Sequence, residues 1–244
     1  MLKIIVDENG EKYSTDDLIE ILKILRSPGG CPWDREQTNK SIRNDTLEEA
    51  YEVAEAIDND DAEALCEELG DLLLQVIFHS RIAEEDGRFD YTDVVDGICR
   101  KLILRHPHVF GKEMVESSDE VLDLWNAIKK EEKNQTSYTE TLKSVPVAFP
   151  ALMRSAKVQK RALKAGFVED NPTGCLKEKL DALNNAIDQN SNVDTAYGEL
   201  LFSLAGLQNH IGVNAEQALA TATDSFIARF CEIEKSGKLK KVAK

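Results

Sequence analysis

Two pairs of acidic residues in helical sequence have the spacing of a metal-binding site. Glu49 and Glu52 are three residues apart, and so are Glu68 and Asp71. Residues three apart lie on the same face of an α-helix, so each pair offers two neighbouring carboxylates. If the two helices pack as an antiparallel hairpin, the four carboxylates meet in one place. Their mutual repulsion then requires a cation, and a set of oxygen ligands suits magnesium or manganese. Such a site is typical of phosphate chemistry.

The periodicity of the apolar residues is helical almost throughout, and no strand-like alternation is convincing. We therefore predict an all-α protein, with further helices over 14–25, 92–105 and 117–133. The helix that carries the first acidic pair begins near Thr46. Its predicted apolar face consists of Leu47, Ala50, Tyr51, Ala54 and Ile57. The next helix runs from about 62 to 85. Its apolar arc is predicted to consist of Leu69, Leu73, Val76 and Ile77, and its acids line up with Gln75 and His79.

The chain is predicted to contain two helical domains. The first covers 1–133 and carries the acidic pairs. A polar, proline-bounded segment over 134–150 is the predicted linker, and 151–244 forms the second domain. Because Gly198-Glu199-Leu200-Leu201-Phe202 parallels Gly70-Asp71-Leu72-Leu73-Leu74, an internal duplication is the simplest explanation.

The second repeat lacks most of the acids. Ala196-x-x-Glu199 stands where the first repeat has Glu68-x-x-Asp71. In place of Glu48-Glu49-x-x-Glu52 it offers at most Lys177-Glu178-x-x-Asp181. We therefore predict one active site per chain, in the first domain. The second domain is expected to stabilise a dimer or to restrict access to the site.

The overall composition limits the function classes. The chain has 244 residues, 42% of them hydrophobic, and a formal net charge of -15. That charge argues against a nucleic-acid polymer as partner, because a polyanion is bound by clustered lysine and arginine. No apolar run is long enough to cross a membrane, and the start of the chain is unlike a secretory signal. Five cysteines with no CxxC pair favour a reduced cytoplasm.

Basic and aromatic residues provide candidate contacts for an anionic nucleotide. Lys101 and Arg105 are four residues apart on one helix face and are predicted to hold a triphosphate. Arginine can grip phosphate oxygens with two parallel hydrogen bonds, and lysine acts as a point charge. Trp125 lies in polar sequence beside Lys129, where it can stack on a nucleobase. The alternatives are solvated charges for the two cations and a core position for the tryptophan.

Five segments together give the chain a family resemblance. They are Gly30-Cys31-Pro32-Trp33-Asp34, Leu47-Glu48-Glu49-Ala50-Tyr51-Glu52-Val53, Glu68-Leu69-Gly70-Asp71-Leu72-Leu73, Arg105-His106-Pro107-His108-Val109-Phe110 and Trp125-Asn126-Ala127-Ile128-Lys129. In these segments the chain resembles the MazG-type nucleoside triphosphate pyrophosphohydrolases. The resemblance implies an all-α fold of two tandem repeats, dimers of intertwined helical bundles, and a housecleaning role in nucleotide pools. It also implies magnesium-dependent hydrolysis of a nucleoside triphosphate to monophosphate and pyrophosphate, by attack of water on the α-phosphorus.

The resemblance assigns roles to particular residues of this chain. The implied catalytic residues are Glu48, Glu49, Glu52, Glu68 and Asp71, of which all but Glu48 would bind the metal. The implied substrate-binding residues are Lys101, Arg105, Trp125 and Lys129. The general base is left open between Glu48 and one of the metal-binding carboxylates. Gly70 costs roughly 1 kcal/mol inside a helix, so its presence suggests that another backbone or a ligand comes close.

Other interpretations of the same residues stay open at this stage. Thr46-x-x-Glu49 has the pattern of a capping box, in which Glu49 would only satisfy amides at a helix start. All four acids can also be solvated surface on a helical interaction or regulatory module that has no catalytic activity. A di-iron carboxylate bundle would need Glu-x-x-His motifs, and no histidine follows the acids of the cluster at that spacing. The sequence does not determine the preference for a base or a sugar.

Overall fold

The computed structural model describes residues 12–132, 137–167 and 172–237, which contain helices and turns but no strand. The prediction of an all-α protein is confirmed. The chain divides into two compact units, 1–129 and 130–244. The helices that begin in the first unit are α1 (Thr15–Arg26), α2 (Pro32–Glu36), α3 (Arg43–Asp58), α4 (Ala62–Glu85), α5 (Tyr91–Arg105), α6 (Pro107–Phe110) and α7 (Ser118–Glu132). Those of the second unit are α8 (Tyr138–Lys143), α9 (Ala151–Lys164), α10 (Pro172–Asp188), α11 (Val193–Ile211) and α12 (Ala215–Lys235).

The segment predicted as a linker contains helix α8, which packs against α9 within the second unit. Residues 134–136 of that segment lie outside the described part of the chain. None of the described helices combines the length and the apolar composition needed to cross a membrane.

Side-chain caps fix where several helices begin. Ser14 accepts a hydrogen bond from the Asp17 amide and forms a capping box at the start of α1. The side chain of Asp61 accepts hydrogen bonds from two amides of the first turn of α4. Asp90 starts α5 with a second capping box. These oxygens satisfy amides that have no partner within the helix. The observed bounds of α4 agree with the predicted ones.

Helices α3 and α4 form an antiparallel hairpin that holds the acidic residues. The turn between them includes Asp60, whose φ of 53° lies in the left-handed region that aspartate tolerates. The core of the first unit lies at the other end of α4, toward α1. Its buried members are Leu22, Ile42, Ile77, Phe78 and Ile82. The hairpin therefore rests on an apolar core at one end and carries its acidic residues toward the other.

Helix α3 packs against α4 with a different face from the predicted one. The residues that face α4 are Thr46, Glu49, Val53 and Ala56. The predicted core face of α3 is exposed, with Leu47 at 42% and Tyr51 at 60% exposure. Leu69, Leu73 and Val76 on α4 are exposed as well, and only Ile77 of that predicted arc is buried. The prediction was wrong because apolar periodicity does not include the polar contact between Thr46 and His79, which lies on the observed face.

The capping-box interpretation of Thr46 is wrong. Helix α3 begins at Arg43, so Thr46 lies inside its first turns, and the N-cap Ile42 makes no side-chain cap. The Thr46 hydroxyl lies 3.3 Å from the Ile42 carbonyl oxygen and does not cap an amide of the first turn. Glu49 is therefore a residue of the helix interior and is not needed to satisfy amides at the helix start.

The segment between α1 and α3 is held by Arg26. Its guanidinium forms an ion pair with Glu85 at 2.7 Å and donates to the carbonyls of Asp34 and Gln37. Trp33, in the same segment, is 58% exposed. The anchor is therefore the arginine, since its planar fork can reach a carboxylate and the backbone at the same time.

The second unit is built on a similar hairpin of α10 and α11, with α9 packed against α11. Leu183, Ala156 and Ala205 are buried in it. The Gln159 amide donates to the Phe202 carbonyl at 2.8 Å, directly over Gly206. A Cβ at Gly206 would overlap the end of the Gln159 side chain, so Gln159 can hold this position only beside a glycine.

Candidate active site

Three carboxylates from the α3–α4 hairpin converge. Glu49 lies on α3, and Glu68 and Asp71 lie one turn apart on α4. One carboxylate oxygen from each lies within 4.8 Å of the others. Helical spacing places Glu68 and Asp71 on one face of α4, and the antiparallel hairpin brings that face next to Glu49.

The electrostatics of the cluster favour a bound cation. Partial burial raises the pKa of Glu49, and a hydrogen bond with Glu52 and the charge of Asp71 raise it further. Partial burial also raises the pKa of Glu68, with added repulsion from Glu52. Both shifts mean that the charged forms repel one another when nothing neutralises them. An all-oxygen donor set with excess negative charge fits a hard divalent cation.

The other two predicted acids hold different positions. Glu52 is exposed, yet it interacts with both Glu49 and Glu68 and so belongs to the rim of the cluster. Glu48 is exposed and next to Glu49 in the chain. It is not part of the converging group of three. Glu48 is therefore a neighbour of the cluster in the chain and lies outside the converging group.

A polar network that the sequence reasoning missed supports the cluster. His79 Nε2 lies 2.8 Å from the Thr46 hydroxyl, and His79 Nδ1 lies 2.6 Å from Asn39 Oδ1. Burial lowers the pKa of His79 below its ordinary value. Thr46 is one helical turn before Glu49, so the network sets the position of that turn of α3 against α4. No sequence signal linked Asn39 to His79.

Arg105 and Trp125 form a second group. The Arg105 guanidinium lies 5.1 Å from the centre of the Trp125 ring, and His106 meets that ring edge-on at 5.0 Å. Arg105 is only 6% exposed, whereas Lys101 is exposed and Lys129 is partly buried. Lys101 and Arg105 therefore do not share one solvent-facing surface, because the arginine packs against the tryptophan. Of the two predicted phosphate ligands, Lys101 is therefore exposed to solvent and Arg105 is buried against Trp125.

Gly70 lies between the two acids of α4. A Cβ added there would meet no atom within 4 Å among the described residues. The close backbone approach inferred from this glycine does not occur within the described chain. Within the described residues, Gly70 therefore leaves open space beside the two acids.

Comparison with known proteins agrees with the geometry of the hairpin. The sequence model of the MazG nucleotide pyrophosphohydrolase domain matches residues 37–110, which include both acidic pairs. The nucleoside triphosphate pyrophosphohydrolase of Escherichia coli (strain K12) is 42% identical over 228 residues, which cover 90% of this chain and 87% of the relative. The nucleoside triphosphate pyrophosphohydrolase/pyrophosphatase MazG of Thermotoga maritima is 39% identical over 222 residues, covering 90% of this chain and 85% of the relative. The chain therefore belongs to the MazG family of nucleotide pyrophosphohydrolases.

Proposed function

We propose that the chain hydrolyses nucleoside triphosphates to monophosphate and pyrophosphate at the α3–α4 acidic cluster. The observation that carries the proposal is the convergence of Glu49, Glu68 and Asp71 within the segment that the family model matches. The names of the two relatives describe the same class of reaction. A housecleaning role in the nucleotide pools of the cytoplasm fits this activity and the free cysteines of the chain.

Glu49, Glu52, Glu68 and Asp71 would hold magnesium, or manganese in its place. A bound divalent ion supplies charge neutralisation at the phosphates and lowers the pKa of a coordinated water. The chain supplies the rest. The Thr46–His79 contact positions α3 against α4, and Glu48, the residue before Glu49 in the chain, accepts the proton of the attacking water. Lys101 on the exposed side of α5 contacts the triphosphate, while Trp125 and Lys129 on α7 contact the remainder of the nucleotide.

We also propose that the active form is a homodimer. The exposed apolar side chains of the hairpin follow helical spacing, so each of the two helices carries an apolar stripe rather than scattered residues. They are Leu47 and Tyr51 on α3 and Leu69, Leu73 and Val76 on α4. Contiguous apolar surface of this kind marks a protein interface. A second copy of the chain is the proposed partner.

Pyrophosphate release from a panel of ribo- and deoxyribonucleoside triphosphates, with magnesium, tests the reaction. We expect Glu68→Gln to lower kcat/KM by more than about 100-fold, because loss of a metal ligand should cost at least as much as loss of its supporting partner. Glu67→Gln makes the same chemical change on an exposed neighbour and should stay within about 3-fold of wild type. If wild type and both variants release no pyrophosphate from any nucleotide, a non-catalytic interaction module becomes the better interpretation.

A further inference from the structure

Lys179 and Glu199 form an ion pair across the α10–α11 hairpin of the second unit. The Lys179 Nζ lies 2.6 Å from the Glu199 carboxylate. Lys179 is partly buried, whereas Glu199 and the neighbours Lys177 and Glu178 are exposed. Lys179 therefore lies on the side of α10 that faces α11, and the ion pair lies at the edge of the contact between the two helices.

The burial of α10 follows the burial of α3 at a constant spacing of 130 residues. The inward positions of α3 are 46, 49, 53 and 56, and those of α10 are 176, 179, 183 and 186. Helix α11 follows α4 at a spacing of 128 residues. Ile77 and Phe78 are buried on α4, and Ala205 and Gly206 are buried on α11.

This register assigns each member of the cluster a counterpart. Glu49 corresponds to Lys179, Glu52 to Ala182, Glu68 to Ala196 and Asp71 to Glu199. The correspondence with Lys177-Glu178-x-x-Asp181 taken from the sequence was wrong by one residue, and those three side chains are exposed. The error arose because acids were matched to acids, and a lysine was not considered as the replacement for Glu49.

We infer that the ammonium group of Lys179 is the built-in cation of the second unit, standing in for the divalent ion of the first. Two of the four acids are alanine there, and the third is a lysine that neutralises the remaining Glu199. These four positions are therefore charge-balanced without metal, and we expect them to bind no divalent ion. The inference concerns metal binding by the second unit and does not depend on the reaction proposed for the first.

Manganese binding to the full-length chain tests this inference. Bound and free Mn²⁺ can be separated by electron paramagnetic resonance. The first site is disabled by Glu68→Ala with Asp71→Ala, and we expect this chain to bind no Mn²⁺ stoichiometrically. Adding Lys179→Glu, Ala182→Glu and Ala196→Glu should then restore stoichiometric binding and raise the thermal midpoint when Mn²⁺ is present.

A control carries the same added charge at exposed positions of the second unit, through Lys177→Glu, Asn184→Glu and Ser191→Glu. It should bind no Mn²⁺ beyond weak, nonstoichiometric association. Stoichiometric binding that persists after the first site is disabled would overturn the inference. So would a rebuilt second unit that keeps its helical circular dichroism yet binds no more Mn²⁺ than the control.

The mirror substitution gives an independent readout in the first unit. Glu49→Lys places an ammonium opposite Asp71, as Lys179 stands opposite Glu199. We expect the thermal midpoint of Glu49→Lys, measured in EDTA, to be higher than that of Glu49→Ala, because the lysine neutralises the remaining acids. A midpoint for Glu49→Lys below that of Glu49→Ala would contradict the role assigned to the lysine.

Discussion

The hydroxyl of Thr46 lies 2.8 Å from Nε2 of His79, and this contact joins α3 to α4 one helical turn from Glu49. Because Asn39 Oδ1 lies at 2.6 Å and can only accept, Nδ1 of His79 carries the proton. Nε2 then accepts the hydrogen bond from the threonine. The imidazole is therefore neutral and holds two segments of the chain against each other.

Replacing His79 by alanine should destabilise the chain by about 1–3 kcal/mol, because the polar partners on both sides lose a hydrogen bond. Burial lowers the pKa of His79 from its ordinary value of 6.5. The unfolded chain therefore takes up a proton at higher pH than the folded chain, and the stability that His79 contributes is lost as the pH falls below 6.5. Denaturant titrations of both proteins over this range should show the difference between them shrinking toward low pH. A difference that grows toward low pH would contradict the neutral, buried histidine.

Glu48→Gln should lower kcat while leaving metal binding intact. A general base contributes about 10²–10⁴-fold, and the amide cannot accept the proton. Because Glu48 lies outside the converging group, the affinity for Mn²⁺ should stay within about 2-fold of wild type. Steady-state kinetics and Mn²⁺ titration of the same protein separate the two effects. Glu55→Gln, on the exposed side of the same helix, is the control for lost charge. If Glu48→Gln keeps the wild-type kcat, the general base is another carboxylate.

Lys101 and Arg105 should respond differently to substitution, since the first is exposed and the second packs against Trp125. Lys101→Gln should raise KM by about 10- to 100-fold through loss of a charge-assisted phosphate contact, with an unchanged thermal midpoint. Arg105→Lys should lower the midpoint, because lysine cannot stack its head group on the indole as a planar guanidinium does. Kinetics and thermal unfolding of both variants test the division. An unaltered KM for Lys101→Gln would remove it from the substrate site.

Magnesium should stabilise the chain more at about pH 8 than at about pH 5. The raised pKa of Glu49 and Glu68 means that the folded chain holds their protons more tightly than the unfolded chain. Without metal, the stability from these groups is present at low pH and is lost as the pH rises through their folded pKa. A divalent ion competes with those protons and removes the repulsion, so its effect grows with pH. Thermal midpoints with magnesium and with EDTA at the two pH values give the comparison; an equal shift at both would argue against ligation by these acids.

A charge on the exposed apolar surface of the hairpin should weaken self-association. Leu69 is 50% exposed in the single chain, and Leu69→Glu would bury an unpaired carboxylate in a dimer. We expect the dimer dissociation constant, measured by sedimentation equilibrium, to rise by at least about 10-fold. Thr92→Glu adds the same charge in the first turn of α5, where the helix dipole favours it, and serves as the control. Identical association of the two variants would place the interface elsewhere.

Much of the site follows from the sequence because helical spacing is a local property. The pairs Glu49 with Glu52 and Glu68 with Asp71 needed only the geometry of one helix each, and the short turn between α3 and α4 made an antiparallel hairpin the simplest arrangement. The inward side of α3 could not be predicted from hydrophobic periodicity. That choice depends on Thr46 meeting His79, a contact between residues 33 positions apart.

In the second unit, the sequence alone likewise did not determine how α10 corresponds to α3. Glu199 was aligned correctly through the preceding Gly198, a local marker on α11. On α10 there was no such marker, and a one-residue error concealed Lys179. Only the pattern of buried positions in the folded hairpin fixes that register, and burial depends on packing that residue type alone does not reveal.

Because α3 leaves Leu47 and Tyr51 outside, the proposed dimer would make protein concentration a determinant of stability. Each chain by itself leaves these apolar side chains in water. A partner copy would cover them, and its contribution would follow mass action. Dilution should therefore lower the melting temperature even though no covalent bond or bound ligand changes.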